Sequence, residues 1–243
     1  MNTKNNSKGC FVAGTLVHTD KGLVPIEQIN VGDRVLSKPE NGEGEVAYKP
    51  VENTFVHEDK EIWLVEFTMF GLYPDKVIYS REVPPCFDVL VGTPNHPFWV
   101  VGELKYYEDM ELIMYPKPYW ARLDQLQPYA VVLRADGYLA RVRVVQPIFI
   151  MENPDLGFLH GYPLGDWFDY DAYFDSPYIN LSGSPRISEE EVNNKQCVDD
   201  SGDWLFPVKT RKVYNFEVAD YHTYFVGEAG IWVHNKNCGG EAP

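Results

Sequence analysis

Four short segments of this chain recur later in the same order, and that repetition constrains its fold more than any other feature. Ile26-Glu-Gln-Ile-Asn-Val-Gly-Asp-Arg-Val-Leu36 aligns with Leu123-Asp-Gln-Leu-Gln-Pro-Tyr-Ala-Val-Val-Leu133. Gly44-Glu-Val-Ala47 aligns with Gly137-Tyr-Leu-Ala140, and Trp63-Leu-Val-Glu-Phe67 with Tyr214-Asn-Phe-Glu-Val218. His96-Pro-Phe-Trp-Val100 aligns with His222-Thr-Tyr-Phe-Val226. Each match is weak alone; the shared order gives them weight, as expected of one structural unit used twice. β-branched and aromatic runs predict strands at Thr15–Thr19, Arg34–Ser37, Ile62–Thr68, Phe87–Val91, Tyr138–Val145 and Val213–Val218. Gly, Pro, Asn and Asp clusters separate them. Helical spacing is limited to single turns near Ile26–Ile29 and Leu123–Leu126. The expectation is an all-β fold, two related halves packed about a pseudo-twofold axis. His96 and His222 then occupy equivalent positions near a central cleft.

The alignment also locates an insertion. About five residues separate Val56 from Ile62, whereas about sixty separate Ile150 from Val213. Residues 151–207 hold twelve Asp/Glu against two Lys/Arg, most of the chain's formal charge of -15. Phe158, Tyr162, Trp167, Phe168, Tyr173 and Trp204 make the stretch too apolar for a disordered acidic tail. A folded, acidic-faced excursion on the β-core is expected, either a bland elaboration or a surface for a partner. The charge argues against nucleic acid, whose phosphates demand a basic face, and against an anionic membrane surface. No apolar run reaches the length of a transmembrane helix and no signal peptide opens the chain. A soluble piece of something longer is expected, without a metal or other cofactor. The four cysteines, Cys10, Cys86, Cys197 and Cys238, form no CxxC pair, so neither a structural zinc site nor a disulfide framework is predicted. Cys86 and Cys197 read as ordinary thiols, and His18, His57 and His160 as surface or hydrogen-bonded histidines.

The ends of the chain concentrate the reactive residues. Gly9-Cys10-Phe-Val-Ala-Gly-Thr15 sets a cysteine after the least hindered residue and just before the first strand. Ile231-Trp-Val-His234-Asn235 ends the last strand on a His-Asn pair, and Thr93-Pro-Asn-His96 and Asp220-Tyr-His222 lie between. This combination resembles the Hint (Hedgehog/intein) superfamily: inteins, bacterial intein-like domains, and the pre-toxin Hint domains of bacterial polymorphic toxins. The toxin-associated subset is closest in the phrase running from Tyr214 to Gly227 and on to Val233-His-Asn235. The resemblance covers about residues 10–150 and 208–235 and implies a Hint-type horseshoe-like β-fold. It divides the chain into an upstream flank (1–9), a core (10–150 and 208–235), the insertion (151–207) and a downstream flank (236–243).

That resemblance implies catalytic roles for Cys10, Thr93, His96, His222, His234 and Asn235. Attack of the Cys10 thiolate on the Gly9 carbonyl gives a thioester. His96 is expected to protonate the departing amide nitrogen while Thr93 helps hold the scissile peptide and its oxyanion. Asn235 attacks its own backbone carbonyl through its side-chain nitrogen, giving a succinimide and cutting Asn235–Lys236. His222 and His234 share the proton transfers there. Two departures disfavour splicing. Lys236 stands where a splicing intein needs Cys, Ser or Thr, and Asn215 where many such inteins carry an Asp that coordinates the two ends. The expectation is therefore single-turnover release of a downstream partner on the same polypeptide, a toxin or effector, as in a secreted bacterial toxin precursor. Two rivals are a trans-acting hydrolase built on Cys10 and His96, and a catalytically silent scaffold whose insertion binds a partner.

Overall fold

The computed structural model describes residues 9–69, 71–73, 76–78, 86–106, 110–150, 156–159, 178–180 and 208–235, and among them there is no α-helix. The first half contains β1 (Phe11–Val12), β2 (Leu16–Thr19), β3 (Gly22–Pro25), β4 (Arg34–Ser37), β5 (Ala47–Glu61) and β6 (Trp63–Met69). It continues through β7 (Gly71–Tyr73), β8 (Lys76–Ile78), β9 (Cys86–Gly92), β10 (Pro97–Tyr106) and β11 (Met110–Arg122). The second half contains β12 (Ala130–Leu133), β13 (Leu139–Ile150), β14 (Leu156–Leu159), β15 (Tyr178–Asn180), β16 (Thr210–Val218), β17 (Thr223–Val226) and β18 (Ile231–His234). The two predicted turns are single 3-10 turns at Ile26–Gln28 and Leu123–Gln125.

Strand pairing follows the sequence repeat. The first 3-10 turn precedes β4, which pairs with β5; the second precedes β12, which pairs with β13. The halves then exchange strands. β6 of the first half pairs with β13 of the second, and its repeat mate β16 pairs with β5 of the first. Likewise β10 pairs with β12, while its mate β17 lies against β4. Exchanging the halves therefore maps each of these partnerships onto another, which is the pseudo-twofold all-β architecture the repeat predicts. Neither half completes its sheet without the other.

Burial separates the interior strands from those at the surface. β6 is buried at every position from Leu64 to Thr68, and β17 and β18 at every position. Such runs, covered on both faces, read as continuous apolar segments rather than alternating ones. The main core joins Phe11, Phe67, Phe98, Phe216, Tyr224 and Val233, and a second cluster gathers Cys10, Ile62, Leu64, Val91, Val144 and Val213. β5 is different: only Val51 is buried along its length, so backbone pairing with β4 and β16 holds it in place.

The predicted strands are all present, Arg34–Ser37 with both ends as predicted and the others with shifted ends, and the Tyr138–Val145 run becomes the twelve-residue β13. β5, β10 and β11 carried no usable signal. β11 contains Pro116 and Pro118, which argue against a strand interior, and it lies at the end of the sheet order where proline is tolerated. Most of 151–207 lies outside the described residues. Of it, β14 pairs with β13 and β15 with β14, extending the sheet edge. Among the described residues no helix is long and apolar enough to cross a membrane.

Candidate active site

Three loops and one central strand converge where the chain's two reactive ends meet. Cys10 immediately precedes β1, which lies between β16 and β9 with Phe11 opposite Tyr214 and Gly92. Thr93 and His96 occupy the loop from β9 to β10. Asn235 follows β18, itself held between β10 and β17. Asn215 comes from β16. The sheet thus brings together residues separated by more than 200 positions.

The Gly9–Cys10 peptide is gripped at each of its polar atoms. The Cys10 N–H donates to Thr93 Oγ1 at 2.9 Å, and the Gly9 carbonyl accepts from Asn215 Nδ2 at 2.6 Å. The Thr93 backbone N–H in turn donates to the Cys10 carbonyl at 2.8 Å. Cys10, Thr93 and Asn215 are all buried. Gly9 is required by close approach: a Cβ there would lie 2.7 Å from His96 Cα and 2.9 Å from His96 Nδ1. Any larger residue would drive the imidazole away.

His96 is 0% exposed and packs on Phe11, ring centroids 4.0 Å apart, with Phe98 and Tyr224 edge-on beyond. Neither ring nitrogen makes a well-formed hydrogen bond among the described residues, although the Gly9 backbone lies close enough to the ring to act on it weakly. Burial pulls its pKa down to about 3, and a charge on His234 would lower it further, against a weak opposing contribution from the Gly9 backbone. The ring is therefore neutral at physiological pH, holding one N–H and one lone pair.

At the other end, the Asn235 carbonyl lies 3.4 Å from the same Asn215 Nδ2. One side-chain amide thus reaches both carbonyls. Its orientation follows from donor–acceptor matching. Asn215 Oδ1 accepts from the Phe216 N–H at 2.8 Å and the Tyr224 hydroxyl at 3.1 Å, so the nitrogen must face the carbonyls. Tyr224 is fully buried, and burial first, then any negative charge on the nearby Cys10 sulfur, holds its hydroxyl proton on well above the usual range. The Asn235 side-chain nitrogen is buried with no hydrogen-bond partner among the described residues.

The two predicted histidines near Asn235 contribute differently. His222, the repeat mate of His96, is partly exposed and adopts a left-handed φ of 54°. Its carbonyl accepts the Asn235 N–H at 2.9 Å, so its contact with the site is made by the main chain. His234 is buried, and its Nε2 lies 2.8 Å from Glu40 Oε2. Sequence reasoning missed Glu40 altogether and treated Asn215 only as a departure. Among the described residues no group of three or more His, Cys, Asp or Glu side chains is arranged to hold a metal ion. His18 bonds the Gly227 carbonyl at 2.9 Å, a structural contact.

Residues 16–113 and 186–236, more than half of the chain, match the family described as the pretoxin HINT domain. Solved structures similar to it include the bacterial intein-like domain from Clostridium thermocellum, with 23% identity over 93% of this chain and 98% of that chain and a TM-score of 0.48. A DnaB intein from Synechocystis sp. PCC 6803 has 10% identity over 94% and 99%, with a TM-score of 0.48. The gp41-1 intein has 14% identity over 94% and 100%, with a TM-score of 0.46. No curated protein matches the chain.

Proposed function

The chain belongs to the pretoxin HINT domain family, and from that premise we propose that it is a self-cleaving domain that releases its downstream segment by cyclisation of Asn235. Asn235 Nδ2 attacks the carbonyl carbon of its own residue. A C–N bond forms, the bond to the Lys236 nitrogen breaks, and one proton passes from Nδ2 to that nitrogen. The products are an aminosuccinimide at the new end and a segment starting with a free amine at Lys236. Each molecule acts once.

The observation that carries this reading is the reach of Asn215 Nδ2 to both the Gly9 and Asn235 carbonyls. A positioned donor at a carbonyl oxygen stabilises the charge that develops there on attack. Asn235 Nδ2 has no hydrogen-bond partner among the described residues, so no such bond need break for the side chain to turn onto its own carbonyl. His222 fixes the Asn235 main chain through its carbonyl. His234, the adjacent residue, moves the proton. Attacker and target belong to one residue, so the site need only select the rotamer.

At the other end, the Cys10 sulfur attacks the Gly9 carbonyl: a C–S bond forms and the Gly9–Cys10 C–N bond breaks. The thiol proton ends on the Cys10 nitrogen. A neutral His96 fits a relay that first accepts that proton and then delivers it, while Thr93 Oγ1 holds the nitrogen that must receive it. Water or an added thiol then resolves the thioester. Lys236 offers no hydroxyl or thiol for ligation, and Cys238 is two residues out of register, so the outcome is cleavage rather than splicing. The core comprises 10–150 and 208–235, the insertion 151–207, and the flanks 1–9 and 236–243. The partner is the polypeptide joined after Asn235, a toxin or effector in an exported precursor.

Intact-mass analysis over time tests this. The expected result is loss of residues 236–243 from the unaltered chain, leaving succinimide or Asn, and no loss from Asn235→Ala. Added thiol should also release residues 1–9. A cut at Asn235–Lys236 that survives Asn235→Ala overturns the proposal.

A further inference from the structure

His234 and Glu40 are 194 positions apart, yet their side chains meet at 2.8 Å. A carboxylate only accepts, so the hydrogen on this contact sits on His234 Nε2. In the neutral ring the lone pair then belongs to Nδ1. Glu40 therefore selects one of two imidazole tautomers at the residue next to Asn235. His234 is buried while Glu40 is about 42% exposed at its side chain, so the carboxylate remains hydrated on one side and keeps its charge at little desolvation cost.

The surroundings are built to deliver that carboxylate. Glu40 sits in the loop between β4 and β5. The indole N–H of Trp120 donates to the Glu40 carbonyl at 3.0 Å, and the same indole meets the His234 ring edge-on at 4.8 Å. One tryptophan thus fixes both members of the pair. Trp120 is itself braced by Trp99 and Trp232, with centroids 4.9 Å away in each case. Two residues on from Glu40, Gly42 has φ +82°, and a Cβ there would lie 2.9 Å from Trp99. Only glycine lets the loop press this closely onto the tryptophans. At the loop's start, Thr223 Oγ1 donates to the Lys38 carbonyl and accepts the Lys38 N–H at 3.2 Å, anchoring it to β17.

We infer that Glu40 is a positioning residue for the Asn235 reaction: it sets the tautomer and orientation of His234, which moves the proton. The inference rests on the proposed cyclisation and adds a residue to it. Carboxylates behind a working histidine act in this way elsewhere, and removing such a partner costs from about 10–100-fold beside a metal-bound histidine to about 10⁴-fold in a Ser-His-Asp triad; the half-exposed Glu40 is placed at the lower end.

The test has two readouts. In the full chain carrying Asn235→Ala, which stays whole, the nitrogen shifts of the His234 ring report the tautomer by NMR. The Nε2–H form is expected with Glu40 present, a mixture with Glu40→Ala, and the Nε2–H form again with Glu40→Gln, whose oxygen still accepts. In the chain with Asn235 intact, Glu40→Ala should slow the cut at Asn235–Lys236 by about 10–100-fold and Glu40→Gln should recover most of it. Thiol-dependent release of residues 1–9 in the same samples reports whether the fold survives. An unchanged tautomer in Glu40→Ala, or a changed tautomer with an unchanged rate, overturns the inference. If the unaltered chain never cuts after Asn235, the cyclisation falls and Glu40's role in it falls too, while the tautomer still decides whether Glu40 sets the ring.

Discussion

At Gly9–Cys10 the histidine is sealed: His96 is fully buried, lies on Phe11, and is held neutral by desolvation. At Asn235 the neighbouring histidine, His234, faces the half-exposed carboxylate of Glu40. Between them stands Asn215, which serves both carbonyls and carries no charge. The repeat mate of His96 is His222, not His234, and of those two mates only His222 takes a left-handed φ, so the two ends differ in backbone as well as in side chains. The contrast teaches that one scaffold has been given two proton environments. A neutral buried imidazole suits a thiol that must lose a proton and a nitrogen that must gain one. A carboxylate-backed imidazole suits an amide nucleophile, which is far less acidic and needs its proton taken as the bond forms.

The largest expected effect separates the ends. His96→Gln should slow thiol-dependent release of residues 1–9 by about 10²–10⁴-fold and leave the Asn235–Lys236 cut near its original rate, both followed by intact mass. Equal slowing at both bonds would mean that His96 acts on the whole site, and the contrast would collapse. Asn215→Ala is next and should join the ends. Removing a carbonyl-directed donor costs about 10²–10³-fold in related chemistry, here at each bond. Loss at one bond only would show that the longer, 3.4 Å contact to Asn235 does no catalytic work.

A third effect appears in stability against pH, because each region holds a desolvated group, the fully buried His96 and the partly buried Asp88, shifted in the opposite sense. His96 belongs to the Cys10 end, with a pKa near 3 against the usual 6.5. Between these values the unfolded chain binds more protons, so the stability it contributes is present above 6.5 and lost as pH falls. Asp88 belongs to the Asn235 end: its Oδ2 accepts the Ala229 N–H in the turn that leads into β18. Burial raises it to about 6 from 3.8, with backbone donors opposing and Glu228 adding a little. Its contribution is present below 3.8 and lost as pH rises through 6. From 3.8 to 6 the two slopes cancel, each about 1.4 kcal/mol per pH unit at most. Asp88→Asn should remove one and expose the other. In urea unfolding the variant is expected to lose stability faster than the unaltered chain between pH 6 and 4. A constant difference across that range would show that the two shifts do not oppose.

Much of this architecture was legible because it repeats. The paired 3-10 turns, the strands that follow them and the reciprocal exchange of β6 and β16 all follow from four aligned segments. β5 was not, since only Val51 along it is buried and its sequence carries no apolar face to mark it as a strand. β11 was not, since its prolines are tolerable only at a sheet edge. The site divides the same way. Cys10, Thr93, His96 and Asn235 lie in local motifs, whereas Glu40 sits in a polar loop with no local pattern and gains meaning only from a contact 194 residues away. His222 was visible as a side chain, yet it meets Asn235 through a carbonyl turned by its left-handed φ, which no residue type announces.

The smallest effect tests the comparison at its closest point. Tyr224 in the second half aligns with Phe98 in the first, so Tyr224→Phe makes the halves identical there and removes one hydroxyl. That hydroxyl donates to Asn215 Oδ1 at 3.1 Å, beside the Phe216 N–H at 2.8 Å. Asn215 therefore keeps one donor, and the amide remains oriented, only less firmly. A hydrogen bond of this kind contributes about 1 kcal/mol, which converts to roughly a fivefold change in rate if all of it reaches the transition state. Both cuts should slow together and by similar factors, because both depend on the same nitrogen. A drop confined to the Cys10 end would mean that Tyr224 acts on the nearby thiol rather than through Asn215. The symmetric slowing is expected because the hydroxyl is bonded to Asn215.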